Sequence, residues 1–280
     1  MFVNFALKVE NNEYVLHESP TVTPVSDSIT YEQPLLERMR LFMRLEELMH
    51  RFQFAVQGNG GFETHFALTT LIEILDLTNR VDLKRELMKE LERQIANLSR
   101  LTVEPSVDQD RLTGVIDQQR RLIEQIHTIN GQLDQQIKSN DFFGSIRQRN
   151  AIPGGTCDFD LPAYHYWLSR PVSERRTLLK EWSAPFHEIH EAVRLVLKLI
   201  RNSAEPRKAV ARQGFYEQSL DGSIPWQMIR ISLPADNPCY PEISAGRQRF
   251  SVRFLKPGDM RNRAKQCDQD VSFELTCCAI

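Results

Sequence analysis

The sequence predicts an α+β fold, in which a largely helical N-terminal region is followed by a small antiparallel β region. Apolar residues recur at spacings of three and four over most of residues 34–202, as on one buried face of a helix. From about residue 210 the apolar period changes to two, which is typical of half-buried antiparallel strands. The predicted domains are an N-terminal extension at 1–27, a helical domain at 28–205 and a β-strand domain at 206–280.

Composition places the 280-residue chain among ordinary globular proteins, with 41% hydrophobic and 26% charged residues. A net charge of −2 argues against a general nucleic-acid coat, which carries a large basic excess. No apolar run approaches the roughly 20 residues that a membrane-spanning helix needs, and no secretory signal begins the chain. The five cysteines have no paired spacing, so we expect a cytoplasmic protein with reduced thiols.

Residues 1–27 lack helical periodicity, and "HESPTVTPVSDS" is rich in Ser, Thr and Pro. A loose N-terminal arm explains this composition. An over-long start explains it equally well, because a GTG codon at Val25 would begin the protein there. The sequence leaves both explanations open.

The first predicted helix, residues 34–52, carries two stripes. Pro34 suits its first turn, where a missing N–H costs nothing. The apolar stripe is predicted to be buried and consists of Leu41, Leu45, Leu48 and Phe52. The charged stripe shares one face and consists of Glu37, Arg40, Arg44, Glu47 and Arg51. On pattern alone, a solvated face with ion pairs one turn apart is the simpler interpretation.

Three more helices are predicted before residue 140. One ends near Arg80, and the next begins after Asp82, a natural N-cap. The longest, at 109–139, carries a heptad-like seam formed by Leu112, Ile116, Gln119, Ile123, Ile126, Asn130, Leu133 and Ile137. Such a seam needs a partner helix, within the chain or on a second subunit. We predict a homodimer joined through this helical part.

The stretch "IPGGTCDFDLPAYHYWL", residues 152–168, suggests several kinds of site. It lacks the Lys and Ser/Thr of a phosphate loop and the three spaced glycines of a dinucleotide site. A Cys157–His165 nucleophile pair would need an oxyanion hole, which the sequence does not supply. "HEIHE" spaces His187 and His190 by three residues, unlike zinc proteases, and we expect both on a helix surface. No catalytic residue, metal or cofactor is predicted.

The segment 247–256 alternates basic and apolar residues. Phe250, Val252 and Phe254 are predicted to be buried, and the opposite face carries Arg247, Arg249, Ser251 and Arg253. Residues 247–265 contain seven basic residues and one acidic residue, Asp259. This charge favours an acidic partner over simple protection of a sheet edge. A nucleic acid bound by the same strand is the alternative.

Six segments, in one order from about residue 30 to the C-terminus, resemble the ZapD family. They are "YEQPLLERMRLFMRLE", "LDLTNRVDLKRELMKELERQ", "IRQRNAIPGGTCDFDLPAYHYWL", "GFYEQ", "YPEISAGRQRFSVRFL" and "FELTCC". The resemblance implies a non-enzymatic bacterial protein of the cytoplasm, located at the midcell division ring. It also implies a homodimer that binds the C-terminal tail of the tubulin-like protein FtsZ and bundles its filaments.

The resemblance also assigns partner-binding positions. They match Arg40, Arg44, Arg80, Lys84, His165, Arg249 and Arg253 in this chain. Relatives can carry a further basic residue shortly before "RQR", where this chain has Asp141, and Lys138 or Arg147 is the nearest substitute. The resemblance further implies that the Pro-Gly-Gly turn reverses the chain between the long helices and an extended segment.

Overall fold

The computed structural model describes residues 27–80, 82–105, 107–129, 137, 139–246, 248–258 and 261–280. The described residues form two compact units. The helical unit is 41–197, and the β unit joins residues 27–40 to 198–280. The predicted α+β class, with helices first and antiparallel sheets after them, is confirmed. Within these ranges, none of the helices combines the length and apolar character that a bilayer-spanning segment needs. The predicted arm or over-long start lies, except for Asp27, outside the described residues.

The helices follow one another from residue 37 to residue 201. The α-helices are α1 (Glu37–Gln57), α2 (Gly61–Arg80), α3 (Leu83–Leu98), α4 (Gln109–Thr128), α5 (Asp141–Asn150), α6 (Pro162–Leu168), α7 (Val172–Ser183) and α8 (His187–Arg201), and 3₁₀ turns span Ser99–Val103 and Ala184–Phe186. The stripe predicted for α1 faces inward, with Leu41, Leu45 and Phe52 buried and Leu48 half-buried. Asp82 caps α3 as predicted, because its carboxylate accepts the backbone N–H of Arg85 at 3.1 Å.

The described part of the seam packs against α3 of the same chain. Leu112, Ile116 and Ile126 of α4 are buried, and the buried Gln119 amide donates to Gln94 of α3 at 2.8 Å. The helix predicted to run to residue 139 ends at Thr128, and 130–136 lie outside the described residues. Helix α3 of the same chain therefore covers the described part of the seam. This packing gives no support to a dimer formed through the seam.

The Pro-Gly-Gly turn lies between two helices, α5 and α6. Gly154 adopts a φ of +72°, which glycine tolerates best, and a Cβ on Gly155 would lie 2.4 Å from the carbonyl oxygen of Arg149. No extended segment follows the turn, because Pro162 starts a short helix at its first turn. That helix is anchored in the helical unit by Tyr164, whose hydroxyl shares a 2.8 Å hydrogen bond with Nδ1 of His65.

The β unit contains two antiparallel sheets. Its strands are β1 (Ser28–Pro34), β2 (Arg207–Ala211), β3 (Phe215–Ser219), β4 (Met228–Pro234), β5 (Tyr240–Ala245), β6 (Arg249–Lys256), β7 (Lys265–Gln266) and β8 (Val271–Cys278). The first sheet has the order β1-β4-β8-β2; the second has the order β3-β6-β5, with β7 paired to the end of β6. A shared apolar core joins them, in which the Phe254 and Phe273 ring centroids lie 5.1 Å apart.

Strand β1 was not predicted, and the sequence boundaries assigned its residues to the helical domain. It pairs along its whole length with β4, from Ser28 opposite Pro234 to Pro34 opposite Met228. Its Glu32 carboxylate accepts hydrogen bonds from Arg201 at 2.8 Å and Arg230 at 2.9 Å. The pairing partners are about 200 residues apart in the chain, so local periodicity gives no sign of them.

Candidate partner-binding surfaces

Strand β6 presents the predicted arginines on one side and its apolar residues on the other. Phe250, Val252 and Phe254 are buried in the core of the β unit. Arg249 and Arg253 are exposed on the opposite side, because side chains alternate along a strand. The alternation that the sequence predicted for this strand is therefore confirmed. Arg247 lies outside the described residues.

Strands β3 and β5 flank β6 and complete a surface that we call the arginine face. Read across β3, β6 and β5, its three rows are Ser219–Arg249–Gly246, Glu217–Ser251–Ser244 and Phe215–Arg253–Glu242. Ser251 lies at the centre of this face, between Arg249 and Arg253 along β6 and between Glu217 and Ser244 across the strands. Sequence reasoning did not identify the positions on β3 and β5, although Phe215, Glu217 and Ser219 do alternate.

The arginine face carries an open groove of about 560 Å³, and a second groove of about 250 Å³ adjoins it. Ser244 and Ser251 line both grooves, so these two serines lie where the grooves meet. Their short side chains leave space between longer neighbours. Phe215 lines the larger groove and is 41% exposed, which places an apolar surface beside the charges.

Each arginine of this face has a carboxylate beside it. Nη1 of Arg249 lies 3.3 Å from Oε1 of Glu217, and Nη2 of Arg253 lies 3.2 Å from Oε2 of Glu242. Both pairs are solvent-exposed, with arginine side-chain exposures of 76% and 59%. The positive and negative charges of these four groups therefore balance on the surface. Along the sequence, by contrast, the run of residues 247–265 is strongly basic.

The same balance holds further along β6. The ammonium of Lys256 lies 3.2 Å from the carboxylate of Asp268, and this hydrogen bond raises the pKa of Lys256. The pKa of Asp268 is lowered by the same bond. Arg249, Arg253 and Lys256 all belong to the basic run of residues 247–265. Each of them has an acidic partner, and these partners lie outside the run.

Arg40 and Arg44 lie one turn apart on α1. The Arg40 guanidinium forms a 3.4 Å ion pair with Glu37, one of the pairs expected for a solvated face. Arg44 is exposed, and within the described ranges its guanidinium has no ion-pair partner. Arg44 is therefore the member of this pair whose charge is available.

The remaining predicted positions lie on the helical unit. Lys84 is half-buried, and its ammonium donates to the backbone carbonyl of Ile129 at 2.8 Å. His165 is exposed on α6. Arg80 is the last residue of α2, but its side chain is outside the described part. Of the two substitutes near Asp141, Arg147 forms a 2.6 Å ion pair with Asp76, and Lys138 is not among the described residues.

The histidine prediction for "HEIHE" was wrong for His190. Its side chain is 1% exposed, and neither ring nitrogen has a hydrogen-bond partner within the described residues. Burial lowers the pKa of His190 to about 4. The reason is its place on α8, where Val193 and Leu197, three and seven residues after it, share its buried face.

The structure does not assemble the Cys157–His165 pair that the sequence suggested, within the part of the chain that it describes. Cys157 is exposed, and no hydrogen bond joins it to His165 there. No cluster of three or more His, Cys, Asp or Glu side chains is arranged to hold a metal ion within those residues.

Comparison with known proteins identifies the family. A family model described as ZapD, a cell division protein, matches residues 43–253. The chain belongs to the ZapD family. It is 41% identical over 256 residues to the cell division protein ZapD of Methylococcus capsulatus, covering 91% of this chain and all of the relative. It is 38% identical over 250 residues to the ZapD of Dechloromonas aromatica, covering 89% and 99%.

The resemblance to ZapD seen in six segments of the sequence is thereby confirmed. The matched range contains β3, β5 and the arginines of β6, and therefore all of the arginine face. It also contains Arg44, Arg80, Lys84 and His165, whereas Arg40 precedes it. Membership in this family makes the chain a cell division protein.

Proposed function

We propose that this protein binds the partly acidic C-terminal tail of FtsZ and crosslinks FtsZ filaments, which stabilises the division ring at midcell in the cytoplasm. The observation that carries the proposal is the arginine face, where Arg249 and Arg253 border an open groove beside the exposed Phe215. Family membership supports the cellular role. The proposed function requires no catalytic residue, metal or cofactor.

The arginine face suits an extended acidic peptide. Arg249 and Arg253 are four residues apart on one strand, so their Cα atoms lie roughly 13 Å apart, at about 3.3 Å per residue. An extended tail with carboxylates at a similar separation would engage both arginines. A guanidinium has five N–H donors and can hold a carboxylate with two of them. An apolar side chain of the tail would cover Phe215.

Several weak contacts must act together, because an exposed ion pair contributes only about 0–1 kcal/mol. We include Arg40, Arg44, Arg80, Lys84, His165 and Arg247 as further contacts. Arg44 and His165 are exposed and need no rearrangement. Lys84 would have to release the carbonyl of Ile129 before it reached a tail.

Crosslinking requires two tail sites, which a homodimer joined through the helical unit would supply. Exposed aromatic side chains support an interface on that unit, since Phe54 is 75% exposed and Phe62 is 91% exposed. Filaments present many tails, so a bivalent protein gains apparent affinity from each additional engagement. The proposed dimer would therefore bundle filaments even if each site is weak.

Sedimentation of FtsZ filaments tests the proposal. We expect the protein to pellet with full-length filaments and to form bundles, and to remain in the supernatant with filaments that lack the tail. Equal co-sedimentation with both would contradict tail binding. A tail peptide should displace the protein from filaments, whereas single-stranded or duplex oligonucleotides should not. Displacement by oligonucleotides would favour nucleic-acid binding instead.

A further inference from the structure

The acidic partners of Arg249 and Arg253 both belong to the arginine face itself. Glu217 lies on β3 and lines the larger groove with Arg249. Glu242 lies on β5, directly opposite Arg253, and lines the adjoining groove with it. The two carboxylates therefore occupy the space where carboxylates of a bound acidic peptide would have to lie.

We infer that Glu217 and Glu242 are internal competitors that weaken and tune the binding of an acidic peptide to the arginine face. This inference rests on the proposed function. A peptide carboxylate must either displace the internal carboxylate or bind the guanidinium beside it. Displacement breaks an existing ion pair, and binding alongside brings two negative charges together. Both routes reduce the net gain from each arginine.

The geometry favours competition over a supporting role. The two distances, 3.3 and 3.2 Å, are long for charge-assisted hydrogen bonds, which are typically about 2.7–2.9 Å. The carboxylate side chains are 45% and 52% exposed, so solvent reaches the pairs. Loose, hydrated pairs restrict an arginine little and are easily exchanged for an external carboxylate. The same carboxylates would repel peptides or polymers of high negative charge density, nucleic acids included.

The experiment measures binding of a fluorescein-labelled FtsZ tail peptide to the full chain and to Glu217→Gln/Glu242→Gln. Glutamine keeps the length and shape of the side chain and removes the charge. Asp27→Asn/Asp236→Asn is the matched control, because it removes two exposed charges from the same unit. Neither aspartate forms an ion pair with Arg249 or Arg253, whose carboxylate partners are Glu217 and Glu242. Arg249→Glu/Arg253→Glu reports whether the peptide uses this face at all.

We expect the glutamine variant to bind the peptide roughly three- to tenfold more tightly at low salt, chiefly through faster association. The asparagine control should change affinity less than twofold. Unchanged or weaker binding by the glutamine variant, while the Arg249→Glu/Arg253→Glu variant still loses binding, would overturn this inference and leave the proposed site intact. If the Arg249→Glu/Arg253→Glu variant binds as well as the parent, the arginine face is not the site, and both proposals for it fail.

Discussion

The ammonium of Lys84, in the first turn of α3, donates to the backbone carbonyl of Ile129 at the C-terminal end of α4, over 2.8 Å. A helix ends with carbonyl groups that have no partner within the helix, and a cation there also meets the negative end of the helix dipole. Lys84 therefore helps hold these two packed helices together, whatever it contributes to partner binding.

Lys84→Met should destabilise the protein by about 1–2 kcal/mol, because the substitution keeps the aliphatic packing but leaves the Ile129 carbonyl without its cation. Urea unfolding measures the difference. Lys89→Met is the control, since Lys89 is 61% exposed and pairs with Glu86 of the same helix. The control should lie within about 0.5 kcal/mol of the parent. Equal stability of the Lys84 variant would mean that the contact contributes nothing.

Arg249→Glu/Arg253→Glu should abolish most tail binding while the fold is retained. The substituted side chains are exposed, and each new carboxylate would lie beside Glu217 or Glu242, so we expect a stability loss of no more than about 1 kcal/mol. Raising the salt concentration should weaken the parent in the same direction, since exposed charges are screened over roughly 8 Å at physiological ionic strength. Peptide titration and circular dichroism check binding and folding.

Phe250→Ala provides the contrasting case on the same strand. Phe250 is 1% exposed in the core of the β unit, so its truncation leaves a cavity and should cost about 3–5 kcal/mol. The melting temperature of the Phe250→Ala variant should fall well below that of the Arg249→Glu/Arg253→Glu variant. A melting temperature close to that of the parent would mean that β6 presents its other side to the core.

His190 should make the protein less stable as the pH falls from 7.5 to 5. Its pKa in the folded protein is lowered to about 4 by burial, against 6.5 for an ordinary histidine, so the unfolded chain binds the proton first. The free energy of unfolding should therefore decrease below pH 6.5, by about 2 kcal/mol at pH 5. His190→Leu should remove this part of the dependence, as urea unfolding at both pH values would reveal. Parallel pH dependence in the variant and the parent would contradict a buried neutral His190.

The proposed dimer should have twice the mass of the chain in light scattering at micromolar concentration. Phe62→Glu should weaken it, because the exposed ring at the start of α2 would be replaced by a charge that resists burial. Val103→Glu changes another side chain that is 80% exposed on the same unit and should leave the mass unchanged. A monomer mass for the parent protein would defeat the dimer itself.

Local periodicity in the sequence was enough to predict several elements. The stripe from Leu41 to Phe52 gave the buried side of α1, and Asp82 gave the beginning of α3. Alternation at Phe250, Val252 and Phe254 gave the two sides of β6. These features depend on neighbours within one or two turns or on the pleat of one strand, and such neighbours are visible in the order of residues.

The tertiary structure alone decided which distant residues meet. It pairs β1 with β4, covers the start of the α4 seam with α3, and buries His190. It also places Glu217 and Glu242 beside the arginines, 32 and 11 residues away along the chain. The sequence by itself determined that Arg249 and Arg253 share one side of a strand. Whether that side carries a net charge depends on which strands pair with it, because electrostatic interactions follow distance in space and not separation along the chain.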